Sequence, residues 1–443
     1  MKNVLEWLEA TVAKYPDKPA FSDTESSITF RQVYDIARNT GAYLVEQLGV
    51  DRTPVAVFAG RKMVTPAYFL GVVYAGRPYA PIDASLPDKR IEKILENLCP
   101  RAIVADRESR EHVESIVDEL AKAEGFDRPQ IFIAEDISHF EQVACADSNC
   151  KISESSGDAV TDSENDTDGG VVAGCAGKTD DSALEKLATV RRQMSMTDPL
   201  YIIYTSGSTG NPKGVMTSHL SLMTYINAYC DVMHIEESDV LGNQSPLDYI
   251  AAIRDIYLPL KTGCSTAIIP KEYFMEPNAL FDYMNDKKVS SVGWSVSAFT
   301  ILTSLGAFEE VGLKSLRKIC FSGSVMPCRV LRKWQENLPE AHFVNQYGPT
   351  EATASCTYYS VDHLVEEDEV LPIGKAYDNY RVFLIDEHGN DPAVGEQGEI
   401  CVCGPILALG YYNDPERTAA AFTLNPLNRA YPERMYRGLR KAR

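Results

Sequence analysis

Tyr201-Ile-Ile-Tyr-Thr205-Ser206-Gly207-Ser208-Thr209-Gly210-Asn-Pro-Lys213-Gly214 is the stretch on which the reading of this chain turns. Four apolar or aromatic residues predict a buried strand. Six residues that are all Gly, Ser or Thr follow, and then a lysine. Gly207 and Gly210 let the backbone reach φ > 0 and point successive N–H groups into one concavity. The hydroxyls of Thr205, Ser206, Ser208 and Thr209 add donors without bulk, and Lys213 adds a compact positive charge. The combination predicts a cradle for a triphosphate. The G-x-x-x-x-G-K-[ST] spacing of a P-loop is absent, so that fold does not follow.

On the N-terminal side, Pro54–Gly60 (PVAVFAG) and Ala102–Asp106 (AIVAD) read as buried strands, with a helical pattern at Val64–Gly76 between them. Strands alternating with helices predict a parallel sheet covered on both faces, an α/β class. The first residues, with Val4, Leu5, Leu8 and Val12 spaced among acids, predict a surface amphipathic helix rather than a signal peptide. Residues 141–181 break the pattern, with ten acids against two bases and no aromatic residue. Such a segment buries too little to offset chain ordering and is expected to be a disordered acidic insertion. It supplies 8 of the 20 excess negative charges of the 443-residue chain. That acidic balance argues against nucleic acid or an anionic membrane as partner. No apolar run is long enough to span a bilayer, and eleven cysteines without a CxxC pair predict reduced thiols in the cytoplasm.

A second string lies further on, Asn345-Gln346-Tyr347-Gly348-Pro349-Thr350-Glu351. Tyr347 offers a flat face to a purine and Asn345 can read an exocyclic amine. Thr350 can bond phosphate, and Glu351 offers Mg²⁺ a hard oxygen. Together, TSGSTGNPKG and NQYGPTE resemble the two signature motifs of the adenylate-forming superfamily. Weaker strings in the family's order extend the resemblance over nearly the whole chain: Ile28–Ala37, Gly76–Leu95 and Gly398–Phe422. The subgroup it looks like is the amino-acid adenylation domain, with D-alanine–carrier-protein ligases as close relatives.

The resemblance implies a large N-terminal domain of two α/β subdomains plus a small β-barrel-like section. Residues 1–378 are the expected AMP-binding body and 379–443 the β-rich part. It implies that ATP and Mg²⁺ are used to activate a carboxylic or amino acid as its adenylate, pyrophosphate leaving. The acyl group then passes to the phosphopantetheine thiol of a carrier protein. Thr205–Gly210, Lys213, Asn345–Gly348 and Thr350 become the nucleotide set, Lys213, Thr205 and Glu351 the catalytic set, and Glu351 the metal ligand. Relatives continue Y-R-T-G-D, where the Asp holds the ribose, into a mobile C-terminal domain bearing a second lysine. Here Tyr436-Arg437-Gly438-Leu439-Arg440 follows instead, so a truncated chain lacking that domain is expected, one that holds ATP weakly and is at most slow in adenylation.

The acid-binding region departs from the resemblance. Aligning Pro246 and Asp255 with the family's flanking residues puts Ile250 where amino-acid-activating relatives carry an Asp for the substrate ammonium. Asp248, two residues earlier and on the same face if the segment is a strand, can substitute only if the backbone is re-routed. Arg254 falls on the pocket side. It reads either as a receptor for an acidic substrate tail or as half of a structural pair with Asp255, and the pair is preferred. Trp294, Ser322 and Gly323 complete the expected pocket, and His219 is expected to pack at the start of a helix rather than act as a base. Two other readings stay open. One is a nucleotide-binding protein of this fold that has lost turnover. The other is an acyl- or aryl-CoA ligase, which Ile250 favours.

Overall fold

The computed structural model describes residues 2–138, 181–206 and 210–442. The acidic stretch 141–180 and the turn residues Gly207, Ser208 and Thr209 lie outside them, and Asp181 opens the helix Asp181–Gln193.

Three sheets carry the chain. The first has seven strands in the order β18 (Gly410–Tyr411), β8 (Pro212–Ser218), β7 (Pro199–Ser206), β4 (Tyr79–Ile82), β3 (Val55–Phe58), β5 (Ala102–Ala105) and β6 (Gln130–Ile133). The second has nine: β15 (Lys375–Ala376), β14 (Thr357–Ser360), β13 (His342–Tyr347), β12 (Lys318–Ser322), β11 (Ser291–Ser295), β9 (Val240–Asn243), β10 (Ser265–Ile268), β1 (Pro19–Ser22) and β2 (Ser27–Thr29). The third is a four-stranded antiparallel sheet of β16 (Arg381–Ile385), β17 (Gly398–Cys403), β20 (Arg434–Ala442) and β19 (Phe422–Leu424). The interiors of the two large sheets are parallel, as the buried runs predicted.

The two large sheets share a helical layer. Phe30–Leu48, Thr65–Tyr74, His219–Met233 and Ala252–Thr262 contribute to one core with strands of both sheets. Thr65–Tyr74 is buried at every position, as a helix covered on all sides must be. The outer faces have cores of their own. One joins the seven-stranded sheet to Asp88–Leu98, whose Ile91, Ile94, Leu95 and Leu98 keep the spacing of a one-sided helix. The other is aromatic and joins Trp294, Phe299 and Phe321 to Trp334. The body is thus helix–sheet–helix–sheet–helix, with the small sheet attached near the edges of both. The eight described cysteines are all free thiols, and among the described residues no helix is long and apolar enough to cross a membrane.

Candidate active site

β7 and β8 form an antiparallel hairpin in which Thr205 faces Lys213 and Ser206 faces Pro212. Thr205 and Ser206 are therefore strand residues, not part of the turn as the Gly/Ser/Thr composition implied. The ladder runs two residues further than apolarity alone marks. Gly210 returns from the tip at φ +78, where a side chain would be strained. The Thr205 hydroxyl is buried without a hydrogen-bond partner, at the strand end beside the lysine. An orphaned donor next to a lysine suits a phosphate oxygen.

Glu351 reaches the same place from the other large sheet. β13 ends at Tyr347, and a single 3-10 turn, Thr350–Ala352, follows. Gly348 is obligatory here, since a Cβ would sit 2.3 Å from Ser355 Cα. Thr353 and Ala354 both take positive φ, +46 and +73, costly for residues with a Cβ and a mark of a constrained site. The Glu351 carboxylate is buried and forms an ion pair with Lys213. The Tyr411 hydroxyl donates to it at 2.6 Å, and Lys213 Nζ lies 3.3 Å from that hydroxyl and 4.9 Å from the ring centroid. Burial and the neighbouring carboxylate hold the Tyr411 phenol protonated.

Tyr411 belongs to a strap, residues 404–412, that leaves β17 of the small sheet. Leu409 N–H donates to Met216 O (2.7 Å) and Tyr412 N–H to Gly214 O (2.8 Å), both on β8. Ala408 N–H donates to Glu351 O (2.8 Å) and the Thr353 hydroxyl to Ile406 O (2.7 Å). Arg434 of β20 clamps the strap by donating to Ala408 O and Leu409 O at 2.8 and 2.7 Å. All three sheets meet at the Lys213–Glu351 pair. Sequence reasoning missed Tyr411, although it stands in the Gly398–Phe422 string taken as a closing motif.

The other expected site residues divide. Thr350 and Tyr347 are half-buried beside Gly348. The Asn345 side chain donates to Pro372 O at 2.8 Å. Gln346, one residue on and so on the opposite face of β13, points into the helical layer, away from Tyr347. Ser322 ends β12 and Gly323 follows it at φ +96. Asp248 lies in a turn, not a strand, so the same-face argument does not apply to it. It lines a small recess with Arg61, Ile82 and Asp83. Burial, then the Asp83 carboxylate, raises its pKa. Ile250 is buried in the core of the helical layer. Trp294 does not line a pocket: it is fully buried in the outer aromatic core, its indole N–H donating to Gly242 O at 2.9 Å. Strand alternation sends its neighbour Gly293 the other way. His219 is buried at its helix start, where its Nδ1 accepts Val4 N–H at 3.5 Å.

Arg254 and Asp255, the preferred pair, make no ion-pair contact, though their charges act on each other through space. Asp255 accepts from Asn243 Nδ2 at 2.8 Å, and Asn243 Oδ1 in turn accepts from Arg61 at 3.0 Å. Burial pushes the Asp255 carboxyl up to about 6. Arg254 donates instead to Gly293 O and, at 3.5 Å, to Gln346 Oε1.

The sequence profile described as "AMP-binding enzyme" matches residues 8–412. A D-alanine–D-alanyl carrier protein ligase of Bacillus cereus (strain Q1) is 28% identical over 430 residues, covering 97% of this chain and 75% of that protein. Among solved structures, the nonribosomal peptide synthetase FmoA3 superposes with a TM-score of 0.77 at 22% identity, over 98% of this chain and 40% of that one. The N-terminal subdomain of Klebsiella oxytoca NpsA, solved with 3-hydroxyanthranilyl-AMSN, gives 0.73 at 19% identity, over 100% of this chain and 96% of that one.

Proposed function

This chain belongs to the AMP-binding enzyme family, and from that membership we propose that it joins a carboxylic acid of the amino-acid class to AMP and delivers it to a carrier-protein thiol. A carboxylate oxygen attacks the α-phosphorus of ATP and the bond to pyrophosphate breaks. The phosphopantetheine sulfur then attacks the acyl carbonyl and AMP leaves. The carrier acceptor, rather than free CoA, is preferred because the curated relatives are named as carrier-protein ligases. An ATP-using enzyme with only free described thiols is assigned to the cytoplasm.

One observation carries this reading: Lys213 and Glu351, 138 residues apart and each in one of the two signature motifs, meet in a single partly buried pair under Tyr411. Lys213 neutralises phosphate charge as pyrophosphate departs, with the Thr205 hydroxyl bonding a phosphate oxygen beside it. The half-buried Tyr347 supplies a face for the purine. Mg²⁺ of this kind is held by one or two carboxylates plus phosphates rather than by a protein cage, a donor set that Glu351 fits. When bound, it offsets charge on the phosphates. To serve, Lys213 must exchange Glu351 for phosphate.

The test is acid-dependent exchange of labelled pyrophosphate into ATP, with a panel of acids. We expect slow exchange with at least one acid, and Lys213→Ala to lower its kcat by about 10²–10³. Binding of an ATP analogue unaffected by Lys213→Ala, or no exchange with any acid, would overturn the assignment.

A further inference from the structure

Arg254 is a buried positive charge on which Asp255 acts only through space, without ion-pair contact. Its side chain is enclosed between the helices Ala252–Thr262 and His219–Met233 on one side and β11–β13 on the other. Among the described residues no carboxylate pairs with it. Asp255, the neighbour in sequence, is committed to Asn243, which is itself held by Arg61. The guanidinium has one firm bond, to Gly293 O at 2.5 Å, and one long bond, to Gln346 Oε1 at 3.5 Å. Its Nε has no partner. A buried guanidinium with five donors, two of them engaged by neutral acceptors, is costly unless an anion completes it.

The surroundings are polar and built for a planar cation. Gly293 is a floor without a side chain, since a Cβ there would stand 2.7–2.9 Å from the guanidinium atoms. The Tyr229 ring lies 5.6 Å from Arg254 Cζ, and the Tyr229 hydroxyl is 3.2 Å from Cys320 Sγ. Gln346 Nε2 donates to the Tyr377 hydroxyl at 2.9 Å, which is 3.3 Å from Ser355 Oγ. The Tyr225 hydroxyl is buried beside Arg254 and Ser355, near enough to interact with both but in a well-aligned bond to neither. The Tyr225 hydroxyl and a loosely held guanidinium with its Nε unpaired thus converge. Gln346 stands next to Tyr347 along β13, with its side chain on the opposite face of the strand.

We propose that Arg254, with Gln346 and Tyr225, is the receptor for a second anionic group on the acid, so that the enzyme selects an acidic amino acid or another dicarboxylic acid. This rests on the adenylation reading above and adds the substrate class to it. The reactive carboxylate goes beside Lys213, and the distal carboxylate supplies the contact counter-charge that Asp255, bonded to Asn243, does not. A guanidinium fork matches a carboxylate in two bonds, a geometry an ammonium does not reproduce.

The probes are D- and L-glutamate, D- and L-aspartate, glutarate and succinate, against D-alanine and butyrate. Two readouts are taken: pyrophosphate exchange, and the shift in thermal unfolding on adding each acid with AMP. We expect kcat/KM at least tenfold higher for a dicarboxylic probe than for D-alanine or butyrate. Arg254→Met is expected to raise the KM for that probe about 100-fold with little change in the KM for ATP, and Arg254→Lys to restore only part of it. Should Arg254→Met fail to fold, Gln346→Glu is the second variant, because it supplies a carboxylate from within. That variant should melt higher than the parent and lose the dicarboxylate preference. Exchange with neutral acids but not with acidic ones overturns this inference and leaves the adenylation reading intact. No exchange at all, with glutarate or glutamate stabilising the parent but not Gln346→Glu, overturns the adenylation reading and keeps the anion receptor. Equal response of parent and Gln346→Glu to every dicarboxylic probe overturns the receptor.

Discussion

At the scale of single residues, burial alone assigns His219 a role. The imidazole follows the cradle by six positions, a distance that invites a catalytic base, yet burial lowers its pKa to about 3. It is a neutral acceptor for the backbone of Val4. In the unfolded chain the same ring titrates near its ordinary 6.5. A depressed folded value means the contribution to stability is whole above 6.5 and drains away as pH falls toward 3, at up to about 1.4 kcal/mol per pH unit. We expect His219→Asn, which keeps an acceptor, to be less stable than the parent at pH 7.5 and to lose less on going to pH 5. Urea unfolding at the two pH values measures this, and parallel losses in both proteins would refute it. Arg254 is the opposite case. Its position was legible in the sequence, but its lack of a carboxylate in contact was not, because that depends on what Asp255 does with Asn243 and Arg61.

At the scale of elements, the loop from β13 into Thr350–Ala352 is the tightest piece of backbone near the site. The Gly348→Ala methyl would meet the backbone of Ser355 and Cys356, neither of which can swing aside. Overpacking of this kind costs about 1–3 kcal/mol. The prediction is a lower melting temperature together with lost pyrophosphate exchange well below it, since Glu351 rides on the displaced turn. A fully active, normally melting variant would show that the turn has room. The hairpin of β7 and β8 was legible from Tyr201–Gly214 because strand and turn chemistry are local. So were β3, β5 and the helix Thr65–Tyr74, each marked by its own apolar run. The β1–β2 hairpin was not. β1 is four residues long and pairs with β10, about 240 positions away, so no local pattern announces it. The turn holding Asp248 was misread for the related reason that an apolar-flanked segment can be strand or turn until its neighbours are placed.

At the scale of the molecule, the strap of residues 404–412 joins the small sheet to the body. Arg434 is the clamp, with two charged bonds to the strap and its guanidinium 4.4 Å from the Phe422 ring centroid. Removing it in Arg434→Met costs about 2–4 kcal/mol. We expect amide exchange to quicken in β19, β20 and residues 404–412, and to stay unchanged in β3 and β5. Uniform quickening throughout would mean that the sheets unfold as one unit. The layered architecture followed from the alternation of strands and helices. The strap did not, because its bonds go to backbone atoms that any sequence would offer.

The Lys213–Glu351 pair has a consequence for how fast a nucleotide is captured. Its two charges cancel at the cleft floor before any ligand arrives, and the chain around them carries a formal charge of −20. An approaching polyphosphate therefore meets no long-range pull and a weak push. Its encounter rate belongs to the unsteered regime, which added salt leaves level or slightly lifts, and selectivity is settled only after contact, as the lysine changes anions.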